Sequence, residues 1–119
     1  MKSETAYPQL MVRVGDACIS NFNAWHGAAE KANISIFDLH VYLAVGALNI
    51  VRLDDSQVMF VSITPASAAK ALNLSPKAMG RWLNNLVKCG LLRRETTGTY
   101  CIADIEVWHH ISQQVFITA

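Results

Sequence analysis

Charge is scarce in this 119-residue chain: Asp, Glu, Lys and Arg make up 16% of it, against 52% hydrophobic residues. That balance excludes a disordered, self-repelling polypeptide, which needs the opposite composition. It also implies more apolar surface than one small monomer can hide, so burial between subunits is expected. No apolar run reaches the roughly 20 residues of a membrane span, and the opening MKSETAYPQL has no hydrophobic stretch of the signal-peptide kind. Cysteine is sparse too. Cys18, Cys89 and Cys101 are an odd number without close spacing, which excludes a disulfide framework and fits a reducing cytoplasm. Buried apolar thiols are expected, with a metal- or redox-sensing site the less favoured alternative. There is no internal repeat, low-complexity segment or Gly-rich phosphate loop, and no nucleophile beside a base. His26 lacks a partner at metal-ligand spacing, and His109-His110 are neighbours that do not face each other on a helix. No enzyme activity, metal or cofactor is therefore expected. The length suits one domain over 1–119 with a self-sufficient core.

A local absence is more telling. Between Ser56 and Arg94 there is no Asp or Glu, while Lys70, Lys77, Arg81, Lys88, Arg93 and Arg94 are all cationic. The rest of the chain holds four basic and nine acidic residues, so +6 in this segment stands against −5 elsewhere on a chain of net charge +1. A positive face on a near-neutral protein is the electrostatic footprint of a nucleic-acid binder.

The same segment contains the clearest helix signals. Thr64-Pro65 and Ser75-Pro76 each offer a hydroxyl N-cap followed by proline at the first helical position. They predict helices over about 65–72 and 76–89, joined by the turn Asn73-Leu74-Ser75, with Gly90 as the left-handed residue past the end. At about 100° per residue, Met79, Leu83, Leu86 and Val87 fall on one side of the second helix, flanked by Trp82. Lys77, Arg81, Asn84 and Lys88 fall opposite, an acid-free stripe suited to a DNA major groove, where Arg and Lys reach guanine or phosphate and Asn pairs with adenine.

With Ala69, Leu72, Leu74-Ser75, Met79, Arg81, Leu83, Leu86 and Gly90-Leu91-Leu92-Arg93 in place, residues 58–104 resemble a winged helix-turn-helix DNA-binding domain of the kind found in MarR-type and related small bacterial regulators. Ala68 departs from the pattern where a larger aliphatic is usual, and Gly80 where a small polar residue often sits. A mid-helix glycine costs roughly 1 kcal/mol relative to alanine; tolerance is the favoured explanation, and close backbone approach to DNA the alternative. The resemblance implies a mainly α fold with a small antiparallel β-hairpin wing (α+β), the core over 35–104 and extra helices flanking it. It implies a recognition helix 76–89 in the major groove and a wing 91–105 on the backbone. The implied DNA-binding set is Ser75, Lys77, Gly80, Arg81, Asn84, Asn85, Lys88, Arg93, Arg94 and Thr97. The implied partners are double-stranded DNA and a second copy of the chain, and no membrane. Relatives often bind small aromatic ligands near the dimer interface. Phe22, Trp25, Phe37 and Trp108 are candidates for such a pocket here, although core packing explains them more simply. Because some winged helices bind only protein, an interaction module of a replication or assembly complex is the alternative reading.

Outside that unit, Leu10-Met11-Val12-Arg13-Val14 reads as a short strand or extended arm punctuated by Gly15-Asp16. A helix is predicted from Asn21 to Asn33, with Phe22, Trp25, Ala29 and Ala32 as its apolar stripe. Ser35 opens the longest expected helix, with Asp38 as a weak capping box. Its stripe is Ile36, Leu39, Leu43, Ala47 and Ile50, and its near-continuous hydrophobicity implies burial on several sides. Leu53-Asp54-Asp55-Ser56 is a polar loop, and Val58 to Ile63 the first strand. Leu91 to Arg94 and Thr99 to Ile105 form the hairpin, whose alternation sends Arg93 and Arg94 to opposite faces: one to phosphate, the other onto the domain or an acid. The tail 106–119 is partly helical with Trp108, Ile111 and Val115 aligned. This stripe and that of 20–33 are expected to be the dimer elements.

Overall fold

The computed structural model describes residues 2–52, 58–96 and 98–116. The loop 53–56, the hairpin-tip residue Thr97 and the last three residues of the tail lie outside the described residues. The described chain is mainly helical with two small antiparallel hairpins: α1 (Lys2–Ser20), α2 (Phe22–Ala32), α3 (Ile36–Asn49), β1 (Ile50–Arg52), β2 (Val58–Phe60), α4 (Pro65–Leu72), α5 (Pro76–Lys88), β3 (Leu92–Arg94), β4 (Tyr100–Ile102) and α6 (Ile105–Phe116).

The capping signals work as written. Thr64 accepts from the Ser67 N–H while the Ser67 hydroxyl accepts from the Thr64 N–H, both at 3.1 Å, so two orphan donors at the start of α4 are satisfied together. Ser75 accepts from the Ala78 N–H and opens α5. Ser35 accepts from the Asp38 N–H at 3.0 Å and opens α3. Asn33 and Asn73 close their helices in the left-handed region, and Gly90 (φ 82°) follows α5. Asparagine and glycine are the residues that tolerate this conformation.

Helix α3 is the hub. Leu39, Val41, Tyr42, Leu43, Ala44, Val45 and Gly46 are all buried, which fits its apolar circumference; Ala47, placed in its stripe by the sequence, is exposed. The helices α1, α2, α4, α5 and α6 and strand β4 pack around it. It ends two residues earlier than its hydrophobic run, because Ile50 turns extended and starts β1, paired Ile50↔Phe60 with β2. β-branched residues suit that change. Asn49 holds the junction. Its amide donates to the Val61 carbonyl at 2.6 Å and to the Tyr100 carbonyl at 3.4 Å, and its Oδ1 accepts from the Ile102 N–H at 3.1 Å. Three backbone groups on two segments are thereby satisfied by one buried side chain.

The N-terminal segment is helix, not strand or arm, and α1 rather than α3 is the longest helix. Val14 and Cys18 enter the core, with Leu10, Met11 and Ala17 packed beside them. Helix α6 is also drawn in more fully than the apolar-stripe argument expected. Its Asp104 cap accepts from the N–H groups of Glu106 and Val107, which ends β4 at Ile102 and starts the helix. Ile111 and Val115 are buried, Trp108 donates its indole N–H to the Tyr42 carbonyl at 3.3 Å, and Trp25 of α2 donates to the Val115 carbonyl at 3.1 Å. The large groups of the two flanking stripes therefore pack inside one chain; Phe22 alone among those named for α2 is well exposed.

Candidate functional site

Helix α5 buries Met79, Leu83 and Leu86 completely and leans Trp82 edge-on against Phe37 of α3, ring centroids 4.8 Å apart. The opposite face of α5 is open. Ser75, Lys77 and Arg81 are exposed, and among the described residues neither Lys77 nor Arg81 forms an ion pair. Gly80 is half-buried, with open space where a Cβ would stand, so packing inside the chain does not require glycine there.

The C-terminal half of the stripe has company. Asn85 and Lys88 line an open cleft of about 780 Å³ with His26 and Glu30 of α2, Ser35 and Asp38 at the start of α3, and Cys89. Two acidic residues thus line the same cleft as the last turn of α5. The stripe is acid-free along its own helix but not in space, and its positive field is concentrated toward Lys77 and Arg81.

Asn84 points elsewhere. Its Oδ1 accepts from the Arg94 guanidinium and, at 2.8 Å, from the Tyr100 hydroxyl. The Arg94 guanidinium carbon also lies 5.6 Å from the Tyr100 ring centroid, within cation–π range. A carboxamide oxygen has two lone pairs, and both have partners here. Bidentate pairing with adenine needs that oxygen as an acceptor, so the expected base-reading geometry of Asn84 does not fit this arrangement.

Compared with protein-family models, with curated proteins and with solved structures, the chain matches none.

Arg93 and Arg94 do point to opposite sides of β3, as their alternation requires, but both have partners within the chain. Arg93 meets Glu95 at 2.6 Å, with more than half of its side chain in water. An exposed pair of this kind is worth roughly 0–1 kcal/mol, so Arg93 remains easily recruited by another anion. Arg94 is the one packed onto the domain. Of the ten residues expected to meet DNA, Ser75, Lys77, Gly80 and Arg81 share one accessible end of α5; Asn85 and Lys88 border the cleft; Asn84 and Arg94 join each other; Arg93 holds an acid; and Thr97 is outside the described residues.

Cys18 and Cys101 are buried, and burial raises both thiols above their ordinary pKa. Cys89, expected to be buried, is exposed at the end of α5. No group of three His, Cys, Asp or Glu side chains is arranged to hold a metal among the described residues. Nor is any described helix long and apolar enough to cross a membrane. Sequence reasoning missed Tyr100, which has no part in any charge stripe and enters the site through its hydroxyl and its ring.

Proposed function

We propose that the chain is a sequence-specific double-stranded-DNA-binding protein of the winged helix-turn-helix type, acting as a small bacterial-type transcriptional regulator. Helix α5 enters the major groove by its N-terminal half, α4 braces it from behind, and the β3–β4 wing approaches the backbone. One observation carries this reading: Lys77 and Arg81 stand exposed, with no ion pair among the described residues, on the side of α5 opposite its fully buried residues. Arg81 is the base-reading candidate and Lys77 a phosphate contact. Arg93 is a second phosphate contact, exchanging Glu95 for the DNA.

The direct test is binding to random duplex DNA between roughly 50 and 200 mM salt, where each neutralised phosphate contributes a slope of about −0.9 in log K against log[salt]. The two phosphate contacts, Lys77 and Arg93, predict a slope near −2 by that rule. Absence of binding at the lowest salt favours the alternative, a protein-interaction module. The exposed row Met59, Phe60 and Val61 at the end of the β1–β2 hairpin speaks for that alternative. Two-fold association is part of the proposal, since two copies read two half-sites. With the α2 and α6 stripes spent within the monomer except for Phe22, it draws on that residue and on exposed apolar groups of α1 such as Val12 and Ile19. Sedimentation of the intact chain tests it, and a monomer at assay concentration removes the dimer.

A further inference from the structure

We infer that Asn84, Arg94 and Tyr100 form a clamp that fixes the wing against the recognition helix, so that Asn84 and Arg94 are positioning residues and not DNA contacts. The functional half of this inference rests on the DNA-binding reading; the clamp itself does not.

The wing needs such a device. Its strands are three residues each, and of β3 only Leu92 is buried. Its base is held by the Ala103 N–H on the Leu91 carbonyl, and by Tyr100 exchanging backbone hydrogen bonds with Ile63 at 2.7 and 2.9 Å. Those bonds tie β4 to the body of the protein. They leave the far end of β3 without a backbone tie to α5. Arg94 is the last residue of β3, and its bond to Asn84 spans ten residues of sequence, across the end of α5. Tyr100, paired with Arg94 in the register of the hairpin, donates to the same oxygen. The guanidinium is planar and lies by the Tyr100 ring, so one contact orients it and the other anchors it. Two strands and one helix therefore converge on a single carboxamide oxygen with no acceptor capacity left.

Tyr100 is only 5% exposed, so its side chain offers a DNA duplex little surface and serves as a probe of the clamp. The experiment compares Tyr100→Phe, Asn84→Ala and the double variant in the full chain, by two readouts. The first is amide hydrogen exchange of Glu95 and Thr99, whose N–H groups close the wing, in the absence of DNA. Either single variant should speed it about 3- to 10-fold, the range of one lost hydrogen bond. The second is affinity for duplex DNA. Tyr100→Phe should lower it by a similar factor with the salt slope unchanged, and Asn84→Ala should add little in the Tyr100→Phe background. Conservative replacement Asn84→Gln, which keeps an acceptor oxygen, should recover part of the exchange protection lost in Asn84→Ala. Unchanged exchange in both single variants overturns the clamp. A loss from Asn84→Ala that persists in full beside Tyr100→Phe and is confined to one base pair overturns the positioning role and makes Asn84 a reader. If exchange responds as expected while the wild-type chain binds no duplex, the clamp stands and the DNA reading falls.

Discussion

Replacing Gly46 with alanine should destabilise this protein, although alanine is the better helix former. In an exposed helix the exchange gains about 1 kcal/mol. Gly46 is buried in α3 with Trp108 of α6 lying across it, and a Cβ built there would fall within the indole, against its Nε1, Cε2 and Cδ1 atoms. The methyl must evict the ring. Eviction breaks the indole hydrogen bond to the Tyr42 carbonyl and loosens the face through which Ile111 and Val115 are buried. Overpacking a core costs about 1–3 kcal/mol, and exposing a large apolar side chain about 1.5–3 kcal/mol. After subtracting the helix-propensity gain, the loss should be about 2–4 kcal/mol. Urea unfolding followed by far-ultraviolet circular dichroism reads it as a lower midpoint at unchanged slope. The decisive control is the same exchange beside Trp108→Ala. With the indole gone the methyl has room, so Gly46→Ala should then be neutral or stabilising by up to about 1 kcal/mol. An equal loss in both backgrounds, or none in the wild type, would refute the account of α6 as a helix seated on a glycine.

Arg81→Ala should weaken DNA binding by about 1–3 kcal/mol and relax preference at one base pair, whereas Lys77→Ala should lower affinity across all sequences and flatten the salt slope by about 1; unchanged affinity in both removes the major-groove assignment. Gly80→Ala should raise stability by up to about 1 kcal/mol without changing affinity, and a clear loss of affinity would instead show that the DNA backbone comes close at this point. Asn49→Ala should cost about 1–3 kcal/mol, because the Ile102 N–H is left buried without the Asn49 oxygen that it meets and the Val61 carbonyl loses its bond to the amide; a thermal midpoint close to wild type would contradict that. The pH prediction concerns His40, whose Nε2 is buried without a hydrogen-bond partner among the described residues and whose pKa burial lowers from 6.5. The unfolded chain then binds a proton that the folded one refuses, so stability should be full above that value and fall as pH drops through it. His40→Phe should flatten urea midpoints in this window, and an equal slope with and without His40 would refute the assignment.

Signals that act within three or four residues were legible in the sequence. Thr64-Pro65, Ser75-Pro76, Ser35 as N-cap, Asn33 and Gly90 all make their capping bonds or adopt their left-handed turns where the sequence places them. Periodicity was less decisive where two periods coincide. Leu10 and Val14 are four apart, which suits the alternate positions of a strand and one face of a helix equally. Exposed Val12 and buried Cys18 break the tie in favour of α1. The end of α3 failed for a different reason. Its hydrophobic run continues past Asn49 without a break, and the chain leaves the helix because that side chain binds backbone on Val61, Tyr100 and Ile102. Those partners become visible only once the chain is folded.

The candidate site shows the same limit more sharply, with a consequence for function. A helical projection correctly separates Met79, Leu83 and Leu86 from Lys77 and Arg81, because both sets belong to one helix. It carries no information about what other elements bring to that helix. Glu30 and Asp38 line the same cleft as Lys88 from α2 and α3, and Arg94 and Tyr100 claim the Asn84 oxygen from the hairpin. The stripe of four polar residues is thereby reduced to a pair without an ion-pair partner among the described residues, one turn apart at the start of α5. If that pair carries recognition, discrimination between base pairs depends mainly on Arg81, since a lysine at a phosphate contributes affinity without sequence information. A single α5 then distinguishes few base pairs by direct contact. Useful selectivity in a genome must come from a second copy at fixed spacing or from the shape of the DNA under the wing, which is why the oligomeric state and the rigidity of the Asn84–Arg94–Tyr100 junction bear directly on whether this chain can act as a regulator.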